Sequence, residues 1–257
     1  MEQTMPGTFD RAPVFDAVRR LAGRGLTAAE VGLIDVTIAQ ALAGAGSGHR
    51  LGTLSEHYES GGRGPGTVSG GGGDPGGVSY GLYQLASRTG TAAAFMQAEG
   101  ARWAAELSGE PGTPAFSEGW KAIAARDGEE FAEAQHAFIE RSHYRPAVQA
   151  ALAATGLDLD ARPDGLRDAV WSTAVQHGSA ARLLIAAIAD ADGAAGPRGT
   201  LAHDRALVEA IYRARAAHVR ALAARSGPAV RRVLTHVATR RYPDELAAAL
   251  AMLLPLG

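Results

Sequence analysis

One stretch of the sequence is decisive for the fold; it begins Tyr58-Glu59-Ser60-Gly61 and ends Asp74-Pro75-Gly76-Gly77-Val78-Ser79-Tyr80-Gly81-Leu82-Tyr83-Gln84. Between Gly61 and Gly81, eleven of twenty-one residues are glycine, and Asp74 is the single carboxylate. A glycine run is usually a flexible linker. Here acids precede it and an apolar, aromatic segment follows. This setting favours a folded loop whose glycines supply backbone angles that other residues cannot adopt. We expect the loop to hold Asp74 opposite Glu59.

Helical periodicity dominates the rest of the chain, so the predicted fold class is mainly α. Thr27-Ala28-Ala29-Glu30 has the pattern of a capping box. Apolar stripes follow at three- and four-residue steps, among them Val31, Ile34, Ile38 and Leu42; Phe131, Ala134, Phe138 and Ile139; Val170, Ala174 and Val175; and Val208, Ile211, Tyr212, Val219 and Leu222. Proline predicts a break or kink before Pro146 and a helix start at Pro228. A small hairpin around Thr67-Val68 and Val78-Ser79-Tyr80 is the only β-structure that we expect.

The composition excludes several kinds of protein. The 257 residues allow one large domain, alone or with a small appendage. The formal net charge of −2 gives no reason to expect non-specific binding to nucleic acid or to a membrane surface. Cysteine is absent, which removes disulfides, thiol nucleophiles and cysteine zinc sites. Residues 1–11 lack a Sec signal, and the apolar run 246–256 is about half of a membrane-spanning length.

The acidic residues near the glycine loop are few. From Leu51 to Gly90 there are three, namely Glu56, Glu59 and Asp74. Glu56 and Glu59 are three residues apart and would share a helix face. At a helix exit beside the loop, Glu59 would be partly buried, with a raised pKa suited to a general acid. Asp74 would stay ionised and orient a water molecule. The alternative is that neither acid is catalytic, with Glu59 a solvated residue at a helix end and Asp74 a turn former.

Two carboxylates set apart are the minimal apparatus for hydrolysis of a glycosidic bond. A separation of about 6.5–9.5 Å would indicate inversion, and about 5–5.5 Å retention. No cofactor or metal is needed for this chemistry. The eight histidines show no zinc-ligand spacing, there is no Gly-x-Ser-x-Gly elbow, and the loop has no phosphate-binding lysine.

A second polar constellation is Trp171-Ser172-Thr173-Ala174-Val175-Gln176-His177-Gly178. Indole and imidazole faces stack on sugar rings, and an amide binds hydroxyl or acetamido groups. The alternative places Trp171 in the core and His177 as a cation at a helix end. Two interpretations are also open for Ser79 and Tyr80. Either both residues line the cleft, or they belong to a turn that is followed by an aromatic residue of the core.

These motifs resemble the lysozyme-like, chitosanase-related peptidoglycan hydrolase domain of phage-type proteins and of type VI secretion spike proteins and effectors. The resemblance covers about residues 52–190, beginning with Tyr58 to Gly61 and Asp74 to Ser87 and continuing with the motif 171–178. It implies two helical lobes around a cleft, with residues 51–257 as the catalytic domain and residues 1–50 as an N-terminal helical extension. The segment 63–73 is longer and richer in glycine than the family pattern, and the resemblance does not extend to residues 1–50.

Carried over by position, the resemblance implies Glu59 as the catalytic acid, Asp74 as the base that activates water, and Ser79 as a residue that helps hold that water. The reaction would be cleavage of the β-1,4 bond after N-acetylmuramic acid, by single-step displacement and without a cofactor. The residues expected to bind substrate are Glu56, Tyr58, Tyr80, Tyr83, Gln84, Trp171, Gln176 and His177.

Three other functions remain open. A chitosanase should carry surplus acids at its cleft, whereas residues 51–90 hold three acids and two arginines. A lytic transglycosylase would need the glutamate but not Asp74, and a non-catalytic phage or secretion protein would have lost one of the acids. The expected partners are a peptidoglycan strand, an immunity protein and a secretion spike carrier, with no nucleic acid or membrane. We expect delivery to the periplasm of a target cell by a secretion system, or release by lysis.

Overall fold

The computed structural model describes residues 12–27, 30–31, 34, 50–54, 64–70 and 76–253. This part of the chain is mainly helical with one small antiparallel sheet, which confirms the predicted fold class. The named elements, in chain order, are α1 (Ala12–Ala22), β1 (Ser79–Tyr80), β2 (Leu85–Ala86), α2 (Thr91–Met96), a 3-10 helix (Ala101–Glu106), α3 (Pro114–Arg126), α4 (Gly128–Ile139), a π-helix (Glu140–Tyr144), α5 (Arg145–Thr155), α6 (Asp164–Gln176), α7 (Ala180–Ala194), α8 (Leu201–Ala224), α9 (Pro228–His236), a second π-helix (Val237–Arg241) and α10 (Tyr242–Ala251).

The apolar stripes at 131–139, 170–175 and 208–222 lie in α4, α6 and α8, as predicted, whereas Ile38 and Leu42 of the first stripe lie outside the described residues. The capping box forms with reciprocal hydrogen bonds, since Thr27 N donates to the Glu30 carboxylate at 2.8 Å and Glu30 N donates to Thr27 Oγ1 at 3.3 Å. The predicted interruption before Pro146 is a π turn, and Pro146 then occupies the first turn of α5, where no donor is needed. The second π-helix likewise precedes a proline, Pro243, in the first turn of α10.

The sheet is larger than the predicted hairpin by one strand. Val68 and Tyr80 form the expected bridge. In addition β1 pairs with β2, with Ser79 opposite Ala86 and Tyr80 opposite Leu85. The sequence analysis missed β2 because the chain reverses over 81–84 without an Asn-Gly or Asp-Gly pair. Gly81 and Gln84 provide the positive φ angles that this reversal needs, 75° and 50°.

Nearly all buried apolar residues of the described chain belong to one cluster, which extends from Tyr80 to Leu253. Helix α6 lies at its centre and packs against α8 and α10, while α7 packs against α5 and α8. Gly165 permits the close approach of α10, because a Cβ there would lie 2.2 Å from the carbonyl oxygen of Ala249. The division into two lobes and the domain boundary at residue 50 remain predictions. None of the helices described could span a bilayer.

Candidate functional site

Four residues of the predicted site, Glu56, Tyr58, Glu59 and Asp74, lie outside the described residues. The structure does describe the segments next to them in sequence, namely 50–54, 64–70 and 76–84. How these segments are held therefore indicates how the core supports the site.

The segment before Glu59 is fastened by a buried carboxylate from a distant helix. Asp168 of α6 has no exposed surface and accepts hydrogen bonds from two backbone amides, Gly52 N at 2.9 Å and Leu54 N at 3.2 Å. Thr53 and Leu54 are helical, so the bonded amides belong to a segment that is entering a helix. A carboxylate at a helix start accepts hydrogen bonds from N–H groups that lack a partner within the helix, and its negative charge interacts favourably with the positive end of the helix dipole.

Two further side chains complete this attachment. His136 of α4 bonds through Nε2 to the carbonyl oxygen of Leu51 at 2.7 Å and stacks on Trp171, with ring centroids 4.6 Å apart and planes 21° apart. Gly52 has a φ of +91°, and a Cβ there would lie 2.6 Å from Trp171 Nε1. The indole is therefore the surface on which Gly52 rests. We call Asp168, Trp171 and His136 the anchor of segment 50–54.

The segments on either side of Asp74 are held by the residue beside His136. Gln135 of α4 is fully buried, accepts a hydrogen bond from Leu82 N at 2.9 Å and donates one to Pro65 O at 3.2 Å. Trp120 Nε1 also donates to Pro65 O, at 2.8 Å. Adjacent residues of α4 thus hold the approach to Glu59 and the two segments that enclose Asp74 in sequence.

A pocket of about 420 Å³ lies against the hairpin, and its lining consists of Gly70, Gly77, Val78, Ser87, Arg88, Pro111 and Gly112. Gly70 and Gly77 flank Asp74 in sequence. Gly77 has a φ of +76°, and a Cβ there would lie 2.6 Å from Ser87 Oγ, so this wall requires glycine. Two residues of the pocket lining therefore flank the predicted base in sequence.

The predicted hairpin residues occupy different environments. Ser79 is 6% exposed, and its backbone pairs with Ser69 on one side and Ala86 on the other. Tyr80 is fully buried, and its hydroxyl bonds to Ser117 Oγ and accepts from Gly112 N. Direct contact of the Tyr80 ring with a sugar is therefore not available, and its role is in the core.

Tyr83 and Gln84 follow at the turn. Tyr83 is 4% exposed, with its ring centroid 5.9 Å from that of Trp171. Gln84 is half-buried, and its Nε2 donates to Gly81 O at 3.0 Å, which stabilises the reversal of the chain. Trp171 is itself fully buried, so the alternative that placed its ring in the core describes this structure.

Gln176 and His177 belong to a buried polar network rather than to an open cleft. The amide oxygen of Gln176 accepts from Arg215 Nη2 and from the Tyr242 hydroxyl, both at 2.8 Å. The same hydroxyl is 3.0 Å from Nε2 of His177, which is 7% exposed. The groups proposed to bind a sugar are thus occupied by partners within the protein.

Charge in this network is balanced around Glu245. Glu245 and Arg215 are both fully buried, with 3.1 Å between Oε2 and Nη1. Burial by itself would raise the pKa of Glu245, but Arg215 and Arg241 outweigh it and hold that pKa below the usual range. Burial, followed by the charges of Arg215, His218 and Arg241, lowers the pKa of His177 to about 3. His177 is therefore neutral and Glu245 ionised at neutral pH.

Sequence reasoning missed several of these supporting residues, namely Gly52, Gln135, His136, Asp168, Arg215 and Glu245. Asp168 carried the clearest signal, because it lies three residues before Trp171 and therefore shares a helix face with that large apolar ring. A buried acid in that position needs donors, and their location on segment 50–54 is set by the tertiary fold. The described residues contain no cluster of acidic or histidine side chains that could hold a metal ion.

Comparison with known proteins gives the family. The family model for the type VI secretion system spike protein VgrG3-like C-terminal region matches residues 51–241, which is more than half of the chain. The chain therefore belongs to this VgrG3-like C-terminal family. It is also similar to the type VI secretion system spike protein VgrG3 of Vibrio cholerae serotype O1, with 41% identity over 139 residues. That match covers 54% of this chain but 13% of the relative, so the chain corresponds to a small part of the relative's length.

Proposed function

We propose that this chain is a peptidoglycan-cleaving glycoside hydrolase, a muramidase that acts by inversion, delivered by a type VI secretion apparatus against other bacteria. Glu59 would protonate the leaving oxygen. Asp74 would take a proton from water attacking the opposite face of the sugar, and Ser79 would help hold that water. Acetal hydrolysis of this kind requires two carboxylates and no cofactor.

One observation carries the proposal most directly. Two adjacent helix residues, Gln135 and His136, fix the segments that lead into Glu59 and enclose Asp74. Catalytic groups must be supported by rigid elements, since small displacements of a reacting group cost much of the rate. The attachment of three separate segments to α4 and α6 supports a site in which both acids act together.

The family supports the delivery route. Since the matching family is named for a secretion spike protein, we infer that the chain is made in the cytoplasm and leaves through that apparatus. An immunity protein that protects the producing cell and a spike carrier are proposed partners. Peptidoglycan is the proposed substrate, and chitosan is the substrate to compare with it.

Digestion of purified sacculi tests the mechanism. The wild type should release muropeptides with reducing ends, identified by mass spectrometry, while Glu59→Gln and Asp74→Asn should each lower the rate by at least about a hundredfold, as expected for loss of an acid or base. Glu118→Gln is the matched control, because it makes the same change at an exposed glutamate of α3 to which no role in binding or proton transfer is assigned.

Each other outcome has a defined meaning. Anhydro products with activity retained in Asp74→Asn would replace hydrolysis by transglycosylation. Cleavage of chitosan in preference to sacculi would make the chain a chitosanase. If folded wild type cleaves neither polymer, the enzymatic proposal is wrong and the non-catalytic alternative takes its place.

A further inference from the structure

Charge is distributed very unevenly along the sequence. Residues 210–243 contain eight arginines, two histidines and no acid, which leaves 17 basic and 27 acidic residues for the rest of the chain. A protein with a net charge of −2 thus concentrates a formal charge of +8 in 34 residues. A local excess of one sign attracts partners of the opposite sign even when the net charge is close to zero.

Three of these arginines are used within the fold. Arg215 and Arg241 pair with Glu245, and Arg213 is 2.7 Å from Asp190. The other five are exposed and have no carboxylate within ion-pair distance among the described residues; they are Arg220, Arg225, Arg231, Arg232 and Arg240. We call these five side chains the arginine surface.

Backbone contacts hold part of this surface in place. Arg231 donates through Nε to Ala223 O at 3.2 Å and through Nη2 to Ser226 O at 3.1 Å, across the corner between α8 and α9. Arg225 donates to Ala221 O at 3.1 Å. Neutral carbonyl partners leave the positive charges uncompensated, so they remain available to an external anion.

Helix α9 carries two of the five arginines, Arg231 and Arg232. None of its side chains is buried, and a shallow groove of about 440 Å³ is lined by Pro228, Arg231, Arg232, Thr235, His236 and Thr239. Exposed apolar side chains lie on α8 and α9, namely Leu222, which is 36% exposed, and Val230 and Val233, which are 43% and 62% exposed. Guanidinium, hydroxyl and methyl groups thus occur together on α9 and on its two neighbours in sequence, the end of α8 and the second π-helix.

We propose that the arginine surface binds the peptide stems of peptidoglycan through their carboxylates, an inference that takes its substrate class from the proposed function. Guanidinium groups bind carboxylates in bidentate geometry, and the valine methyls match the alanine methyls of a stem. The nine residues of α9 are about 13 Å long. An extended peptide of four residues has about the same length.

The burial of the aromatic residues argues against nucleic acid and anionic lipid as ligands of this surface. Single-stranded nucleic acid binds where bases stack on exposed rings, and interfacial helices anchor in lipid through exposed aromatic side chains such as Trp and Phe. The aromatic residues of segment 210–243 are Tyr212 and Tyr242, which are 3% and 2% exposed. A peptide bearing carboxylates and small apolar groups therefore matches this surface better than nucleic acid or lipid does.

The surface is rigidly connected to the anchor of segment 50–54. Arg215, on the same helix as Arg220, is bonded to Ser172 and Gln176 of α6, and α6 also carries Asp168. Stems bound at the arginine surface would hold the glycan near the site without entering the reaction. Loss of the surface should therefore raise KM and leave kcat nearly unchanged.

Co-sedimentation tests the inference in full-length protein carrying Glu59→Gln, which prevents digestion during the assay. Arg232 and Arg240 are the residues to change, because neither makes a described hydrogen bond whose loss would disturb folding. Arg232→Glu/Arg240→Glu should reduce retention on sacculi about tenfold. Arg232→Lys/Arg240→Lys should retain only part of the binding, because the charge is kept while the bidentate geometry is lost. Arg19→Glu/Arg20→Glu, an exposed pair on α1, is the matched control.

The polymer must be varied as well. Retention should fall with added salt, and it should fall to the level of the reversed variant on glycan strands whose stems have been removed by an amidase. Equal retention on stripped strands, or no difference between the reversed variant and the α1 control, would overturn the inference. Stronger retention on phosphatidylglycerol vesicles or on a single-stranded oligonucleotide would also overturn it, in favour of that polymer.

The two proposals fail separately. If the wild type is retained on sacculi in a stem-dependent way but does not cleave them, the hydrolase proposal is wrong and the proposal of stem binding stands. If the wild type cleaves sacculi and Arg232→Glu/Arg240→Glu leaves kcat and KM unchanged, the hydrolase proposal stands and the proposal of stem binding is wrong.

Discussion

Asp168 illustrates how one buried side chain can fasten a segment that is distant in sequence. Its two oxygens accept separate backbone amides of Gly52 and Leu54. A buried donor left without an acceptor loses its solvation without compensation, at a cost of about 1–3 kcal/mol. The carboxylate can accept on both oxygens, whereas an amide offers one acceptor and one donor.

We therefore expect Asp168→Asn to destabilise the protein by about 2 kcal/mol, since one amide of segment 50–54 would face an NH₂ group. The control is Asp164→Asn, the same change at the start of the same helix, where the carboxylate is partly exposed and 3.3 Å from Arg167. Urea unfolding of the two variants gives the comparison. Equal midpoints would show that the anchor contributes no stability beyond that of a surface acid.

Activity adds a second measurement on the same variant. If Asp168 positions Glu59 through segment 50–54, Asp168→Asn should lower kcat while the folded fraction remains high. A variant that is destabilised but keeps the wild-type kcat would leave Asp168 with a structural role alone.

The hairpin is an element whose geometry depends on particular glycines. Gly77 combines a positive φ with a close approach to Ser87, whereas Gly64 has a positive φ of 91° and open space, with no atom within 4 Å of the position that a Cβ would take. The two positions separate backbone strain from steric conflict. A side chain at either one strains the backbone, but only at Gly77 does it also collide with a neighbour.

Gly77→Ala should accordingly destabilise the protein more than Gly64→Ala does. We expect about 1 kcal/mol from the backbone in both and a further 1–2 kcal/mol from overpacking at Gly77. Thermal unfolding measures both variants under one condition. A smaller loss at Gly77 than at Gly64 would mean that the strand yields and that the pocket wall does not need glycine.

The helices were predictable from the sequence because their causes are local. Three- and four-residue stripes, a capping box and prolines at helix starts all act within a few residues, and α4, α6 and α8 lie where the stripes 131–139, 170–175 and 208–222 predict them. The strand β2 and the anchor were not predictable in this way. Gln84 adopts an unusual positive φ, and Asp168 is paired with a segment 116 residues away. The predicted roles of Trp171, Gln176 and His177 depended on exposure, which the packing of α8 and α10 determines.

The network around Glu245 joins α6, α8 and α10 and makes the stability of the whole molecule depend on pH. His177 has a pKa of about 3 in the folded protein, while an unfolded histidine titrates near 6.5. Between these values the unfolded chain binds a proton that the folded one excludes. Stability from this group is therefore complete above about pH 6.5 and falls as the pH decreases towards 3.

Between pH 7 and pH 5 we expect His177 to account for a loss of about 2 kcal/mol. Burial also lowers the pKa of His143, which contributes in the same direction. His177→Gln should flatten the dependence of unfolding free energy on pH, and His177→Gln/His143→Gln should flatten it further. Urea titrations at pH 5, 6 and 7 test this. A wild-type stability that is constant over this range would contradict the neutral state of His177.

The distance in sequence between Gly52 and Asp168 has a consequence for the order of assembly during synthesis. A ribosome adds about 5–20 residues per second, so the 116 residues that separate the two take roughly 6–23 s to be made. Throughout that interval the nascent chain carries Glu59 but lacks the helix that fastens its segment. A truncated product ending before α6 would contain both proposed catalytic acids and the contacts made by Gln135 and His136, but it would lack the carboxylate of Asp168 and the indole of Trp171 that complete the anchor.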